Sequence, residues 1–467
     1  MKKRYLRKLC FIMAAILSVS VFSACGEKAT DKDEQGRTVI SIGNYPSKEG
    51  ETRDIWDAKW KKFEEDNPDV KIEPDMWEFD IKTFYAKEAG GKLPNLFISH
   101  YTEIGQYIDS ECVGKLTDVM KKRGYEGKFN PKILKIVSDD KGDIYAFPTT
   151  SYLFGLYVNM DTFKEVGLVE EDGTPLQPKT WDELAEYAVK IKEKTGKPGF
   201  AIPTTQNCGG WMFTCIAWGY GTVFMEQGED GKWKATFNSP EAEAALQYIK
   251  DLKWKYDVLP ANSLIDYAEY FKLYATGGAA MIIGGGSSVN QYPKYGMQPA
   301  SIGIVGIPAG PKRHVTLLGG TLYAVSKEST EDQKDAAIRW LETSFNYNAT
   351  EDFKANKQKE IERALNDNQL VGVKTFKPWS NETESVKFEN ELIDKNRNVD
   401  LNNVRLYNEF IENCPAEIQP EEPVCAQELY AILDGCIQEV LTNKDANCKE
   451  ILEKANYDFQ QNYLDNL

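Results

Sequence analysis

The chain has only two histidines in 467 residues, His100 and His314. A Ser-His-Asp or Cys-His arrangement therefore has almost no raw material, and no G-x-S-x-G accompanies it. HExxH, the phosphate loop and the dinucleotide fingerprint are also missing. Gly284-Gly285-Gly286 is too short for a phosphate loop and has no Lys-Ser/Thr behind it. By residue type only a glycosidase carboxylate pair stays open, and the order of strands does not suggest a (β/α)₈ barrel. Cations are outnumbered, 56 Lys and Arg against 72 Asp and Glu, for a net charge of −16. That balance argues against nucleic acid as a partner, because phosphate backbones need clustered positive charge. It also weighs against an anionic ligand unless one local arginine overrides it. Cysteines never occur as CxxC, and no histidine lies near Cys414, Cys425, Cys436 and Cys448. No metal or cofactor is expected; buried thiols and one or two disulfides both remain open.

Long apolar runs are scarce too. Leu9 to Val21 spans 13 residues, short of the roughly 20 that cross a bilayer. Lys2, Lys3, Arg4, Arg7 and Lys8 precede it without an acidic residue, and Phe22-Ser23-Ala24-Cys25 ends it. This is the pattern of a signal peptide over residues 1–24. Small residues directly before a cysteine resemble the bacterial lipobox, although Phe22 stands where leucine is usual. Cys25 is then the expected lipidation site, and acyl chains at about 0.8 kcal/mol per buried CH₂ anchor a protein durably when two or more are present. Residues 25–37 are small and charged and read as a solvated tether, with the fold beginning near Thr38. The mature chain is expected outside the cytoplasm, at the outer face of the cell membrane. About 430 folded residues exceed one ordinary core and suggest two lobes.

Thr38 to Ile42 is a β-branched strand stopped by Gly43-Asn44-Tyr45-Pro46. Trp56, Trp60 and Phe63 share one helical face. Val70-Lys71-Ile72 and Leu96-Phe97-Ile98 are further strands around a polar helix near 80–89. The βαβαβ order predicts an α/β fold with a parallel, helix-covered sheet. Leu153 to Asn159 is a strand, Thr180-Trp181-Asp182-Glu183 a capping box, and Ser239-Pro240 a helix start. Ala279 to Ile283 and Leu322 to Val325 are strands; 331–344 and about 425–465 are helical.

In this order the features resemble the extracellular solute-binding proteins of bacterial ABC sugar importers, the group that includes maltose-binding protein. The patterns are Trp60-Lys61-Lys62-Phe63 with Asn67-Pro68; Gly91-Lys92-Leu93-Pro94-Asn95-Leu96-Phe97; Tyr145-Ala146-Phe147-Pro148 before Tyr157-Val158-Asn159; Pro178 to Leu184; Gly277-Gly278-Ala279-Ala280-Met281; and Gly319 to Val325. The resemblance implies a two-lobe periplasmic-binding-protein-like fold of type II. Its crossings fall near 150–152, 318–321 and 375–379. The first lobe holds 38–149 plus 322–372, the second 153–318 plus 376–467. It implies a monomeric binder, not an enzyme, that delivers a carbohydrate, as an oligosaccharide, to ABC permease transmembrane subunits after hinge closure. Alternatives are another polar solute, such as a polyol phosphate or polyamine, and a surface glycoside hydrolase.

A sugar needs flat apolar platforms with polar groups at their edges. The chain has 10 Trp, 24 Tyr and 21 Phe, so position must choose among them. Open α/β sheets bind ligands beyond their strand ends. Tyr45, Trp77, His100 and Tyr101 follow the first three strands, Tyr152 lies at the first crossing and Trp379 at the last. Trp211 and Tyr430 fall where the family supplies aromatic contacts. Each serves equally well as a packing residue. The family often carries Gly-Pro-Trp after the Ala-Ala-Met strand, with the Trp on the sugar; here stands Gly284-Gly285-Gly286-Ser287. Gly286 and Ser287 could instead offer amides and a hydroxyl. Glu78 or Glu103 could anchor hydroxyls or be solvated charge, and His314 reads as part of a solvated turn.

Overall fold

The structure, a computed structural model, describes residues 31–467, so the leader and Cys25 lie outside the described residues. Strands β1 (Thr38–Ile42), β2 (Val70–Pro74), β3 (Leu96–His100), β4 (Ala146–Pro148) and β11 (Thr321–Val325) form the first sheet, in the order β2-β1-β3-β11-β4. The pairs β1–β2 and β1–β3 are parallel, as the βαβαβ reading requires. The strand β11 arrives from far along the chain and inserts antiparallel between β3 and β4. Sequence periodicity carries no information on such a long-range pairing.

The second sheet is built on β5 (Tyr152–Asn159), whose residues from Leu153 onward are all buried. A strand buried on both faces reads as a continuous apolar run. Strand β8 (Met281–Gly285) pairs with one of its edges, and β9 (Ile302–Gly306) and β10 (Val315–Gly319) share the other; β12 (Glu417–Pro420) extends the sheet from β10. A small hairpin, β6 (Met225–Gln227) with β7 (Trp233–Ala235), stands apart.

Two strand pairs carry the chain between sheets, β4 into β5 and β10 into β11. They are bonded to each other: the backbone N–H groups of Thr149 and Thr150 each donate to Thr321 O at 3.1 Å, and Thr321 N–H donates to Thr150 Oγ1 at 3.0 Å. Gly320 makes this approach possible. Its φ is +137°, and a Cβ there would lie 2.3 Å from Thr150 O, a position only glycine tolerates. Near the third expected crossing, Ser151 Oγ donates to Phe376 O at 2.9 Å. Trp379 and Val386 then pack into the first-lobe core with Phe63, Phe147 and Trp340. The chain rejoins the second lobe with the helix Leu401–Asn413, which lies on β9.

The segment read as a solvated tether is folded at its end. Val39 N–H donates to Asp31 O at 3.0 Å, Asp33 Oδ1 accepts from the amides of Gln35 and Arg37 at 2.9 Å, and Lys32 pairs with Asp332 at 2.7 Å. Residues 31–37 are thus docked on the fold, because an Asx turn supplies the polar partners that a hydropathy reading discounts. Among the described residues no helix is long and apolar enough to cross a membrane, and Cys112, Cys208, Cys215, Cys414, Cys425, Cys436 and Cys448 are free thiols.

Candidate functional site: the cleft between the lobes

Strand β3 ends at His100, which is also the N-cap residue of the helix Tyr101–Asp109. Glu103 sits in that helix's first turn, where its charge suits the helix dipole, and its Oε2 lies 3.6 Å from His100 Nδ1. From the other lobe comes Glu421, just past β12. The Thr102 hydroxyl donates to Glu421 Oε2 at 3.2 Å, a hydrogen bond that spans the cleft. Burial holds the Glu421 carboxyl above its usual range, and the charge of Glu103 adds to that. His100 is raised in turn, chiefly by Glu103. Glu422 turns inward instead, accepting from Trp218 Nε1 at 2.9 Å, and burial pushes it up to about 7.

The second-lobe wall is set by the helix Cys208–Tyr220. Its N-cap residue, Asn207, has φ +66° and makes no side-chain cap. Asp434, from the helix Ala426–Thr442, supplies the cap by accepting from the amides of Asn207 and Gly210 at 2.7 Å each. Orphan N–H groups at a helix start need such a partner. The two helices touch at Gly210, where a Cβ would lie 2.2 Å from Tyr430 O. This contact fixes Trp211 and Tyr430 together. Trp211 meets Phe154 edge-on at 4.8 Å, and its Nε1 lies beside Glu421 without completing a hydrogen bond. Tyr152 lies against Gly319 and Gly285: a Cβ at Gly319 would stand 2.1 Å from its Cζ. Burial raises the Tyr152 hydroxyl, and Glu421 raises it further.

Within this cluster Glu103 Oε2, Trp211 Nε1 and Tyr430 Oη are buried without a hydrogen-bond partner, and so is Tyr101 Oη at the start of the helix that carries Glu103. Each such group costs roughly 1–3 kcal/mol. Donors and acceptors are both represented, as a hydroxyl-bearing solute requires.

The sequence pattern of the bacterial extracellular solute-binding proteins matches residues 49–346. The chain belongs to that family. It is therefore a solute-binding protein of ABC import, not an enzyme. The sn-glycerol-3-phosphate-binding periplasmic protein UgpB of Escherichia coli (strain K12) is 26% identical over 309 residues, covering 63% of this chain and 68% of that protein. The cyclic α-maltosyl-1,6-maltose binding protein of Arthrobacter globiformis shares the fold at a TM-score of 0.61 and 20% identity, over 90% of this chain and 98% of that one. UgpB of Mycobacterium tuberculosis, solved with glycerophosphocholine, does so at 0.62 and 15%, over 91% and 98%.

The remaining sequence candidates of this solute-binding protein fall in several places. Tyr45 is buried edge-on to Trp56, and its hydroxyl is used fully, donating to Asp57 Oδ1 and accepting from Arg53 Nε at 2.8 Å each. Trp77 leads toward the cleft through Phe79, which packs 5.5 Å from His100. Trp379 is only 7% exposed and stacks on Phe129 at 4.6 Å, so its ring serves the first-lobe core. Gly286 and Ser287 open the 3-10 segment Gly286–Tyr295, and the Ser287 hydroxyl is not among the described groups. The neighbouring Ser288 donates to Gly285 O at 2.6 Å and lies 3.3 Å from Tyr267 Oη. Glu78 is exposed, whereas Glu103 is in the cluster. His314 Nε2 lies 2.9 Å from Ile307 O. Sequence reasoning missed Glu421 and Asp434. The available signal for Glu421 was Pro420-Glu421-Glu422-Pro423, two acids held between prolines at a strand end.

Proposed function

We propose that this protein captures a carbohydrate, as an oligosaccharide, between its lobes and hands it to the transmembrane subunits of an ABC importer. The observation that carries the reading is the cluster of Tyr152, Trp211 and Tyr430 around Glu421 and Glu103, with unpaired polar atoms on both lobes. Aromatic faces suit the C–H patches of a sugar ring, and carboxylates accept from its hydroxyls. Several proteins of the same fold bind oligosaccharides by their own descriptions, such as cycloalternan and chitin oligosaccharide. Calorimetry against a panel of oligosaccharides is expected to show saturable binding without turnover. Trp211→Ala should weaken that binding about a hundred-fold, on the order of 3 kcal/mol for a buried aromatic contact, and should also lower the melting temperature, because the ring packs on Phe154. Silence across the panel, or release of reducing ends, would overturn the proposal.

The proposal includes a lipid anchor at Cys25, supported by the leader and by Phe22-Ser23-Ala24-Cys25. Cells carrying Cys25→Ser should shed the protein into the soluble fraction, and mass spectrometry of the wild-type N-terminus should find a diacylglyceryl group. An unmodified, membrane-free wild type would rule the anchor out.

A further inference from the structure

Glu103 and Glu421 face each other from opposite lobes. Their positions are joined by geometry: Thr102, next to Glu103, donates across the cleft to Glu421 at 3.2 Å. Glu103 Oε2 is buried without a hydrogen-bond partner, and His100 is 3.6 Å away and 43% exposed at its side chain. The charges that act on His100 and Tyr152 are those two carboxylates, with no lysine or arginine of the described residues among them. Arg313, which acts on Glu422, is taken up by Glu417 and Gln419 at 2.7 and 2.9 Å. Tyr430, 1% exposed with its hydroxyl unpaired, completes the wall that feels both Glu421 and Glu103.

We infer that Glu103 and Glu421 make the closed cleft a charge filter, which admits neutral or cationic solutes and rejects phosphorylated or carboxylated ones. The inference deepens the carbohydrate reading and rests on it for the kind of solute. It separates this chain from its relative UgpB, whose own description names an anion, sn-glycerol 3-phosphate. The physical reason is simple. Closure brings two carboxylates and a single histidine into a site of reduced dielectric, so the acids outnumber the one group beside them that can carry a compensating charge. A third negative charge within several ångströms is opposed there far more strongly than in water. Neutral hydroxyls can donate to both carboxylates, and an ammonium group would neutralise one.

The test is calorimetry with neutral sugars and polyols, putrescine and spermidine, and the anions sn-glycerol 3-phosphate, glucose 6-phosphate and oligogalacturonate. At least about a hundred-fold preference for uncharged or cationic solutes over matched anions is expected. Glu103→Gln and Glu421→Gln should narrow that gap. An anion bound as tightly as its neutral congener overturns the filter while leaving a sugar-phosphate reading possible. A polyamine bound in place of any sugar overturns the carbohydrate reading and leaves the filter standing. An independent measurement needs no ligand. The NMR titration of His100 should lie above 6.5 in the wild type and fall in each Gln variant. A titration at or below 6.5, unchanged by either substitution, overturns the filter even if no solute in the panel binds.

Discussion

Replacing Gly210 by valine is expected to lower stability by on the order of 3 kcal/mol and to abolish ligand binding. The first backbone turn of the helix Cys208–Tyr220 is pressed onto Tyr430: a Cβ at Gly210 would lie 2.2 Å from Tyr430 O and 2.6 Å from its Cα. Real side chains do not approach backbone so closely, so the two helices must separate. Overpacking of this kind costs about 1–3 kcal/mol. Separation also withdraws Asp434 from the amides of Asn207 and Gly210, leaving a largely buried carboxylate and two helix-start donors without partners. The same displacement moves Trp211 and Tyr430, which the contact holds in place. Gly435 provides the control within the partner helix. It has open space around it, so Gly435→Ala should stabilise by about 0.5–1 kcal/mol through helix propensity alone. Urea melts of both variants check the pair. A Gly210→Val midpoint equal to wild type would show that the helices do not need this contact.

Local features were legible where the physics is local. The Ser239 hydroxyl accepts from Ala242 N–H at 3.3 Å, and Thr180 Oγ1 accepts from Glu183 N–H at 3.2 Å, as their sequence contexts predict. The second half of that box differs: Glu183 Oε2 accepts from Lys179 N–H, one residue upstream of the expected Thr180. Strands β1, β2, β3, β5 and β8 were visible as β-branched or apolar runs. What the sequence hid is set by distant partners. The antiparallel insertion of β11, the docking of residues 31–37 and the cap from Asp434 all join segments far apart in the chain. The site shows the same division. Trp211 and Trp379 are equivalent as residue types, yet the first lies beside Glu421 and the second is stacked in a core. Glu103 was legible as a carboxylate at a strand end. Its partner Glu421 is found only by folding the second lobe against the first.

The adjacent Glu422 yields a pH dependence whose sign is unusual for a carboxylate. Its carboxyl accepts from Trp218 Nε1 at 2.9 Å, and burial pushes it up to about 7, from 4.5 when exposed. Below about 4.5 both folded and unfolded chains hold the proton, and the group does not affect stability. Between 4.5 and about 7 only the folded chain holds it, so stability falls as pH rises. Above about 7 the buried charge is carried in full, at a cost of up to about 3 kcal/mol. Glu422→Gln keeps an acceptor for the Trp218 N–H and cannot ionise. The variant is expected to match wild type at pH 4.5 and to exceed it by up to about 3 kcal/mol at pH 8, read from urea melts across that range. Arg313 keeps Glu417 in the variant, so no second charge is stranded. Parallel pH profiles for the two proteins would mean that Glu422 stays ionised in the fold. Because Glu421 is untouched, the solute preference of the cleft should be the same in both. The two neighbouring acids would then divide their work, one carboxylate facing the solute and one titrating inside the lobe that carries it.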